Sequence, residues 1–201
     1  MNISVVVATF GDQSWIDLAQ VAAASVDMQT MKPASFHHIH AETLHEARNS
    51  GAEEAVGEWL CFLDADDKLD PLFIESMQSK IEQINNVNAL LQPSHRYNED
   101  NPGGKAGKIL MHKTINIKLG NFLIIGTLVK KDTFIRAGGF RDLPLYEDWD
   151  LWIRCFNDGV QHFTVPDAIY DISIRKNSRN NPDKKTQIKI SNQIRRYYGF
   201  V

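Results

Sequence analysis

Trp59-Leu60-Cys61-Phe62-Leu63-Asp64-Ala65-Asp66-Asp67 decides how this chain is read. Five mostly apolar residues run straight into three carboxylates within four positions. A buried strand that ends in such a cluster is costly unless something positive sits there. Carboxylates at the C-terminal end of a central strand are well placed to hold a divalent cation and, through it, a phosphate group. The plainer alternative is a solvated acidic turn, because Asp70-Pro71 just beyond also opens a helix well.

Upstream, Ile3-Ser4-Val5-Val6-Val7-Ala8-Thr9-Phe10 is a near-continuous β-branched run of the kind buried in a parallel sheet, broken by Gly11-Asp12. Trp15 to Met28 predicts an alanine-rich amphipathic helix, and Phe36 to His40 a short strand. Thr43-Leu44-His45-Glu46 has capping-box spacing, with Thr43 as the cap and Glu46 reaching back. That helix runs to about Val56, and Gly57 stops it. Downstream, Asp70-Pro71 starts a helix to about Ile84. A short strand follows over Ala89 to Gln92.

The resulting β-α-β-α-β-α-β order predicts an α/β fold with a mostly parallel sheet. Asn98 to Gly107 reads as a polar loop. Phe122 to Val129 predicts another strand, and Asp132 caps a helix ended by Gly138-Gly139. Asp148 to Asn157 predicts an aromatic-rich helix. Phe163 to Val165 and Ala168 to Ile174 predict two late strands.

The 201 residues suit one domain, or one domain plus a tail, and 43% hydrophobic content supports a real core. No apolar run approaches the roughly 18 residues that span a bilayer. Ile3 to Phe10 lacks the basic flank and cleavage site of a signal peptide. Cys61 and Cys155 sit in apolar segments and read as buried thiols in a reducing compartment, so a cytoplasmic location is expected. Net charge is −3, unevenly placed. Arg175 to Val201 holds eight Lys/Arg against one Asp, a net of +7, while the remainder nets −10. A basic tail on an acidic body points to an interaction with phosphate, an anionic surface or the body itself, and a merely solubilising helix explains it equally well.

Several blocks fall in a telling order: Ala8-Thr9-Phe10, Ala47-Arg48-Asn49-Ser50-Gly51, Gly57-Glu58-Trp59, Leu63-Asp64-Ala65-Asp66-Asp67, Gly138-Gly139-Phe140 and Glu147-Asp148-Trp149-Asp150-Leu151-Trp152. Together they resemble the family 2 glycosyltransferases of the GT-A fold over roughly residues 1–178, with residues 179–201 as a basic tail. The resemblance implies a Rossmann-like three-layer sandwich, a nucleotide-diphosphate sugar donor, a Mn²⁺ or Mg²⁺ ion, and inversion at the anomeric carbon. It places Asp64, Asp66 and Asp67 at the metal and ribose-diphosphate, with Asp66 and Asp67 as metal ligands. It places the acceptor base in Glu147-Asp148, with Asp148 favoured. Arg48 and Asn49 become donor-site candidates, and Thr9 and Phe10 border the nucleobase.

The chemistry fits those residue types. The departing diphosphate needs positive charge, and a cation held by one or two carboxylates supplies it as a Lewis acid. The acceptor hydroxyl needs a base, and a carboxylate at a helix N-terminus is stabilised in its charged form. A simple N-cap is the plainer role for Asp148. Asp150, two residues on, reads as structural.

Arg175 holds the place where related enzymes often have a histidine. As a poor metal ligand but a good diphosphate clamp it would neutralise the leaving phosphate, unless it is simply an exposed charge. The chain also departs from the family by one β-α unit. His37-His38-Ile39-His40-Ala41-Glu42 passes almost at once into the Arg-Asn block, leaving Glu42 as the candidate contact to the base. The histidine run lacks the converging ligands of a zinc site.

Ile190, Ile194 and Tyr197 have helical spacing, so the tail can pack on the core or on a partner. Interfacial membrane binding needs more apolar surface than the tail sequence provides.

The leading expectation is therefore a metal-dependent inverting glycosyltransferase acting on a glycan, protein or small-molecule acceptor, with no nucleic acid. A degenerate member that binds nucleotide or glycan without transfer is the alternative. A nucleotidyltransferase would want a Gly-rich basic loop after the first strand, and an Asp-nucleophile phosphatase would want its Asp pair there; Gly11-Asp12-Gln13-Ser14 and Ala8-Thr9-Phe10 are neither.

Overall fold

The computed structural model describes residues 2–97, 107–111, 116–174 and 183–201. The first half alternates strand and helix: β1 (Ile3–Phe10), α1 (Gln13–Asp27), β2 (Ser35–Ala41), α2 (Leu44–Glu54) and β3 (Trp59–Asp64). After β4 (Lys68–Leu69) come α3 (Phe73–Gln83), β5 (Ala89–Tyr97), β6 (Ile109–Leu110), β7 (Leu128–Lys130), α4 (Lys131–Arg136), α5 (Glu147–Asn157), β8 (Gln161–Ile172) and α6 (Lys184–Tyr197).

One sheet runs β2-β1-β3-β7-β5-β8-β4, with β6 on β5. The long pairings, β1 with β2, β1 with β3 and β5 with β8, are parallel. The antiparallel ones cover two residue pairs each. This is why β1 and β3 read as continuous apolar runs: both faces of each are covered.

Val6 and Phe62 are register partners and point to one face. Gly51 of α2 sits so close to Val6 that an added Cβ would come within 2.3 Å of its side chain. Phe62 meets Phe134 of α4 and, edge-on, Phe140. Right-handed crossovers put α1 on the opposite face, where Gln29 just past it accepts from the main-chain N–H of Ile74 in α3. Trp59, Trp149 and Trp152 are fully buried in the core. Each is worth about 3–5 kcal/mol against alanine.

The capping box at Thr43 and Glu46 forms as its spacing predicts. Four expectations need correction. Phe122 to Val129 is a strand only over Leu128–Lys130, because the Asn121 side chain and an Ile124–Thr127 turn use its earlier main-chain groups. The helix after Asp70-Pro71 begins at Phe73, and Asp70 accepts from Leu72 in a preceding turn. Asp132 lies in the first turn of α4 without capping it. The two late strands are one, β8, with a register irregularity opposite Pro93/Ser94 that absorbs Pro166.

Candidate active site

The parallel strands deliver their C-terminal ends to one rim. Ala8 of β1 is opposite Asp64 of β3, and Phe10 is opposite Ala41 of β2. Ligands of open α/β sheets bind at such a rim. Two cavities open there. One, of about 260 Å³, is lined by Arg48, Asp64, Asp67, Asn121, Glu147 and Asp148 among others. The second, of about 230 Å³, is lined by Phe10, Glu42, Thr43, Arg141 and Glu147 among others, so the two meet at Glu147.

Arg48 joins three elements. From α2 it donates to Asp64 Oδ1 at 2.7 Å and to Glu147 Oε1 at 2.7 Å, with its guanidinium 4.9 Å from the Phe140 ring centroid. It is 3% exposed. Burial opposes its charge, but Asp64 and Glu147 outweigh burial and raise its pKa. The positive group that the end of β3 demands is therefore, for Asp64, an arginine from the same chain. Asn49, next to it, exchanges two 2.9 Å bonds with the main chain of Phe140, fastening the Gly138-Gly139 turn to α2.

Glu147 and Asp148 open α5, preceded by Tyr146 in the left-handed region at φ 63°. That conformation is uncommon for a residue with a Cβ and concentrates at functional sites. Asp148 Oδ1 accepts from Trp149 N at 2.7 Å, and Oδ2 accepts from Asn121 Nδ2 at 2.8 Å. Burial, and then the charge of Glu147, push the Asp148 carboxyl up to about 6, against the pull of those two donors and of Arg48. The helix N-terminus thus does not keep this carboxylate in the ordinary range, because desolvation is the larger effect.

Asp67 is buried, and its Oδ1 accepts from Ser173 N at 2.7 Å. The Tyr170 hydroxyl accepts from Asp64 N at 3.0 Å and donates to Asp67. Gly126 makes room for the Tyr170 ring, since a Cβ there would lie 2.2 Å from it. Burial, and then Asp64 and Asp66, hold the Asp67 carboxyl well above the usual carboxylate range. No Lys, Arg or His is ion-paired with Asp67 among the described residues. Asp66 beside it is partly exposed.

These are hard oxygen donors of the kind Mg²⁺ and Mn²⁺ take. Three or more His, Cys, Asp or Glu side chains do not gather into a cage among the described residues. A cation held by Asp66 and Asp67 would have to take its remaining oxygens from a bound ligand or water.

Of the remaining sequence candidates, Thr9 is buried. Its hydroxyl lies 3.0 Å from His38 Nε2 and 3.1 Å from His40 Nδ1. Phe10 and Glu42 line the smaller cavity. Arg175 lies outside the described residues. Sequence reasoning missed Asn121 and Tyr170, which touch the acidic groups directly.

The sequence profile described as Glycosyl transferase family 2 matches residues 12–142. The chain belongs to glycosyl transferase family 2. An uncharacterized glycosyltransferase of Haemophilus influenzae is 30% identical over 125 residues, which cover 56% of this chain and 40% of that relative. Among solved structures, S. aureus TarS 1–349 in complex with UDP-GlcNAc superposes with a TM-score of 0.72 at 14% identity, covering 96% of this chain and 65% of that one. TarS 1–349 in complex with UDP gives 0.66 at 15%, covering 87% and 61%. At such identities the likeness is one of fold: a family 2 chain with the mostly parallel, GT-A-type α/β architecture. The chain spans less than two thirds of the length of each of these relatives. No helix among the described residues is long and apolar enough to cross a membrane.

Proposed function

We propose that this chain transfers a sugar from a nucleotide-diphosphate donor to an acceptor hydroxyl with inversion, using Asp148 as the base. The observation that carries this reading is the Asp148 carboxylate on the wall of the cavity that also contains Arg48 and Asp64, held there by Trp149 N–H and the Asn121 amide and raised by burial into the range of a general base. A general base works best with a pKa near the operating pH. Asp148 is not the cap of α5: Tyr146 holds the N-cap position and Asp148 lies inside the first turn. This favours transfer over the alternative of a binding protein without catalysis.

In this account the nucleotide base enters the smaller cavity beside Phe10 and Glu42, and the ribose meets Asp64 near Arg48. The sugar then lies in the larger cavity. The acceptor oxygen bonds to the anomeric carbon as the bond from that carbon to the phosphate oxygen breaks. The acceptor proton passes to Asp148 Oδ1 or Oδ2. Trp149 N–H and the Asn121 amide keep the carboxylate aimed. Asp66 and Asp67 would hold a divalent cation, which when bound supplies positive charge for the departing diphosphate. Arg175 is proposed as a further clamp on that phosphate.

UDP-GlcNAc is the first donor to try, because TarS 1–349, which shares this fold, was solved in complex with it. The test is UDP release from UDP-sugars, with water or a panel of simple glycosides as acceptor, for wild type and Asp148→Asn. Release that is unaffected by the substitution would place the base elsewhere.

A further inference from the structure

Tyr146 adopts a main-chain conformation that its residue type resists. Apart from glycine, positive φ occurs among the described residues at Asn85, Asn86 and Tyr146. Asn enters the left-handed region with little strain, and a ring-bearing residue does not. The start of α5 needs only that turn of the main chain, which Asn or Gly would supply more easily. A tyrosine held there against its preference points to a task for the side chain.

That side chain stands beside the base. Tyr146 is half-buried and lines the larger cavity together with Asp148. Its ring meets that of Trp149 at 87°, with the centroids 5.9 Å apart, and this contact fixes its orientation. Burial, and then the charge of Asp148, push its phenol up, which puts the two side chains within electrostatic reach.

The cavity wall around it has two characters. Asp64, Asp67, Glu147 and Asp148 bring carboxyl groups, and the one cation among the described lining residues, Arg48, is committed to Asp64 and Glu147. Ile124, Ile125, Leu145 and Ile172 form much of the remainder. Aliphatic carbon offers a hydroxyl no partner, so a polar group pressed against it loses water without replacement. A phosphate or carboxylate on the acceptor would meet carboxylates and no free cation on this wall. A sugar ring has a polar edge and an apolar C–H face, and such a face suits an aromatic ring set among aliphatic walls.

We propose that the acceptor is an uncharged sugar whose apolar C–H face lies on the Tyr146 ring, with the reacting hydroxyl turned to Asp148. This rests on the reading of Asp148 as the base and names the class of acceptor that the reading leaves open. Tyr146 is then a specificity-determining residue. It holds the acceptor in place and takes no part in the proton transfer.

The experiment is saturation-transfer NMR on the full chain, with Mg²⁺ and UDP, GDP, CDP or dTDP in turn. The probes are the methyl glycosides of glucose, galactose, mannose and N-acetylglucosamine, set against glucose 6-phosphate and glucuronate. At least one methyl glycoside should bind, with saturation strongest at its ring C–H protons. The anionic sugars should bind more weakly by about tenfold or more. Tyr146→Phe, which keeps the ring, should hold that glycoside within about twofold of wild type. Tyr146→Asn should weaken it about tenfold, while calorimetric affinity for the nucleotide stays within about twofold. The Asn variant should fold as wild type by circular dichroism, because it relieves the main chain as it removes the ring. Three outcomes would each overturn the proposal: anionic sugars that bind as well as neutral ones, no methyl glycoside bound where a nucleotide does bind, or glycoside binding indifferent to Tyr146→Asn. Failure of every nucleotide to bind is a separate result, which removes the donor reading and this inference with it.

Discussion

Asn121 and Asp148 are 27 residues apart in sequence and joined by a 2.8 Å hydrogen bond, the amide donating to Oδ2. The bond favours the charged carboxylate and so offsets part of the upward push from burial. Asn121→Ala should raise the Asp148 pKa further above about 6. The acid limb of the pH dependence of kcat/KM should then move to higher pH, and kcat near neutrality should fall about tenfold. Asn121→Asp, which adds a like charge, should move the limb further still. A limb that stays in place in both variants would separate Asn121 from the base.

Asp148→Asn separates binding from chemistry. Donor affinity should be retained, and transfer should fall by about a hundredfold or more. Stability should respond with a definite sign. The folded carboxyl sits at about 6, above its ordinary 3.8. Protonated Asp148 is therefore favoured by folding, and that stability is complete below about pH 4 and lost as pH rises through about 6. The Asn variant should be more stable than wild type near pH 8, by on the order of 3 kcal/mol and so with a higher unfolding temperature, and should unfold nearly with it near pH 4. Thermal denaturation at the two pH values reads this directly.

Arg48 is the structural keystone of the rim. Arg48→Met should leave Asp64 and Glu147 without their cation in a desolvated setting and cost about 3–5 kcal/mol. Arg48→Lys should recover part of that but not all, because one ammonium cannot reproduce two divergent 2.7 Å bonds from a planar fork. Chemical denaturation of the three proteins should rank wild type, Lys and Met in falling order. Equal stability of the two variants would mean that charge alone matters.

Asp67→Asn should discriminate a metal role from a structural one. The side-chain carbonyl can still accept from Ser173 N, so the fold should hold. Removing one of three crowded carboxyls should leave stability near neutral pH unchanged or raised, because the folded Asp67 carboxyl sits well above the usual range. Mn²⁺-dependent nucleotide binding should nevertheless weaken by about tenfold or more. Calorimetry with and without metal reads both arms, and metal-dependent binding that survives intact would remove Asp67 from the metal.

What was legible in the sequence follows from how local each signal is. β1 and β3 announce themselves because burial on both faces forces uninterrupted apolar runs, and the Thr43–Glu46 cap because its two bonds span three residues. The acidic cluster and Glu147-Asp148 were visible as carboxylates in places where carboxylates are expensive. Their supports were not. Arg48 meets Glu147 across 99 positions, and Asp64 N meets the Tyr170 hydroxyl across 106. An isolated Asn121 in an irregular segment carries no periodicity. The same irregularity made Phe122 to Val129 read as a strand, since apolar residues lining a cavity and apolar residues in a strand have the same composition.

The proposed nucleotide-diphosphate sugar site lies at the rim formed by Arg48, Asp64 and Asp148. Its most direct test is calorimetric titration of UDP, GDP, CDP and dTDP, each with Mn²⁺ and again with EDTA. One nucleotide should bind at micromolar affinity, more tightly with the metal and more weakly in Arg48→Lys. Failure of all four to bind, with and without metal, would contradict it.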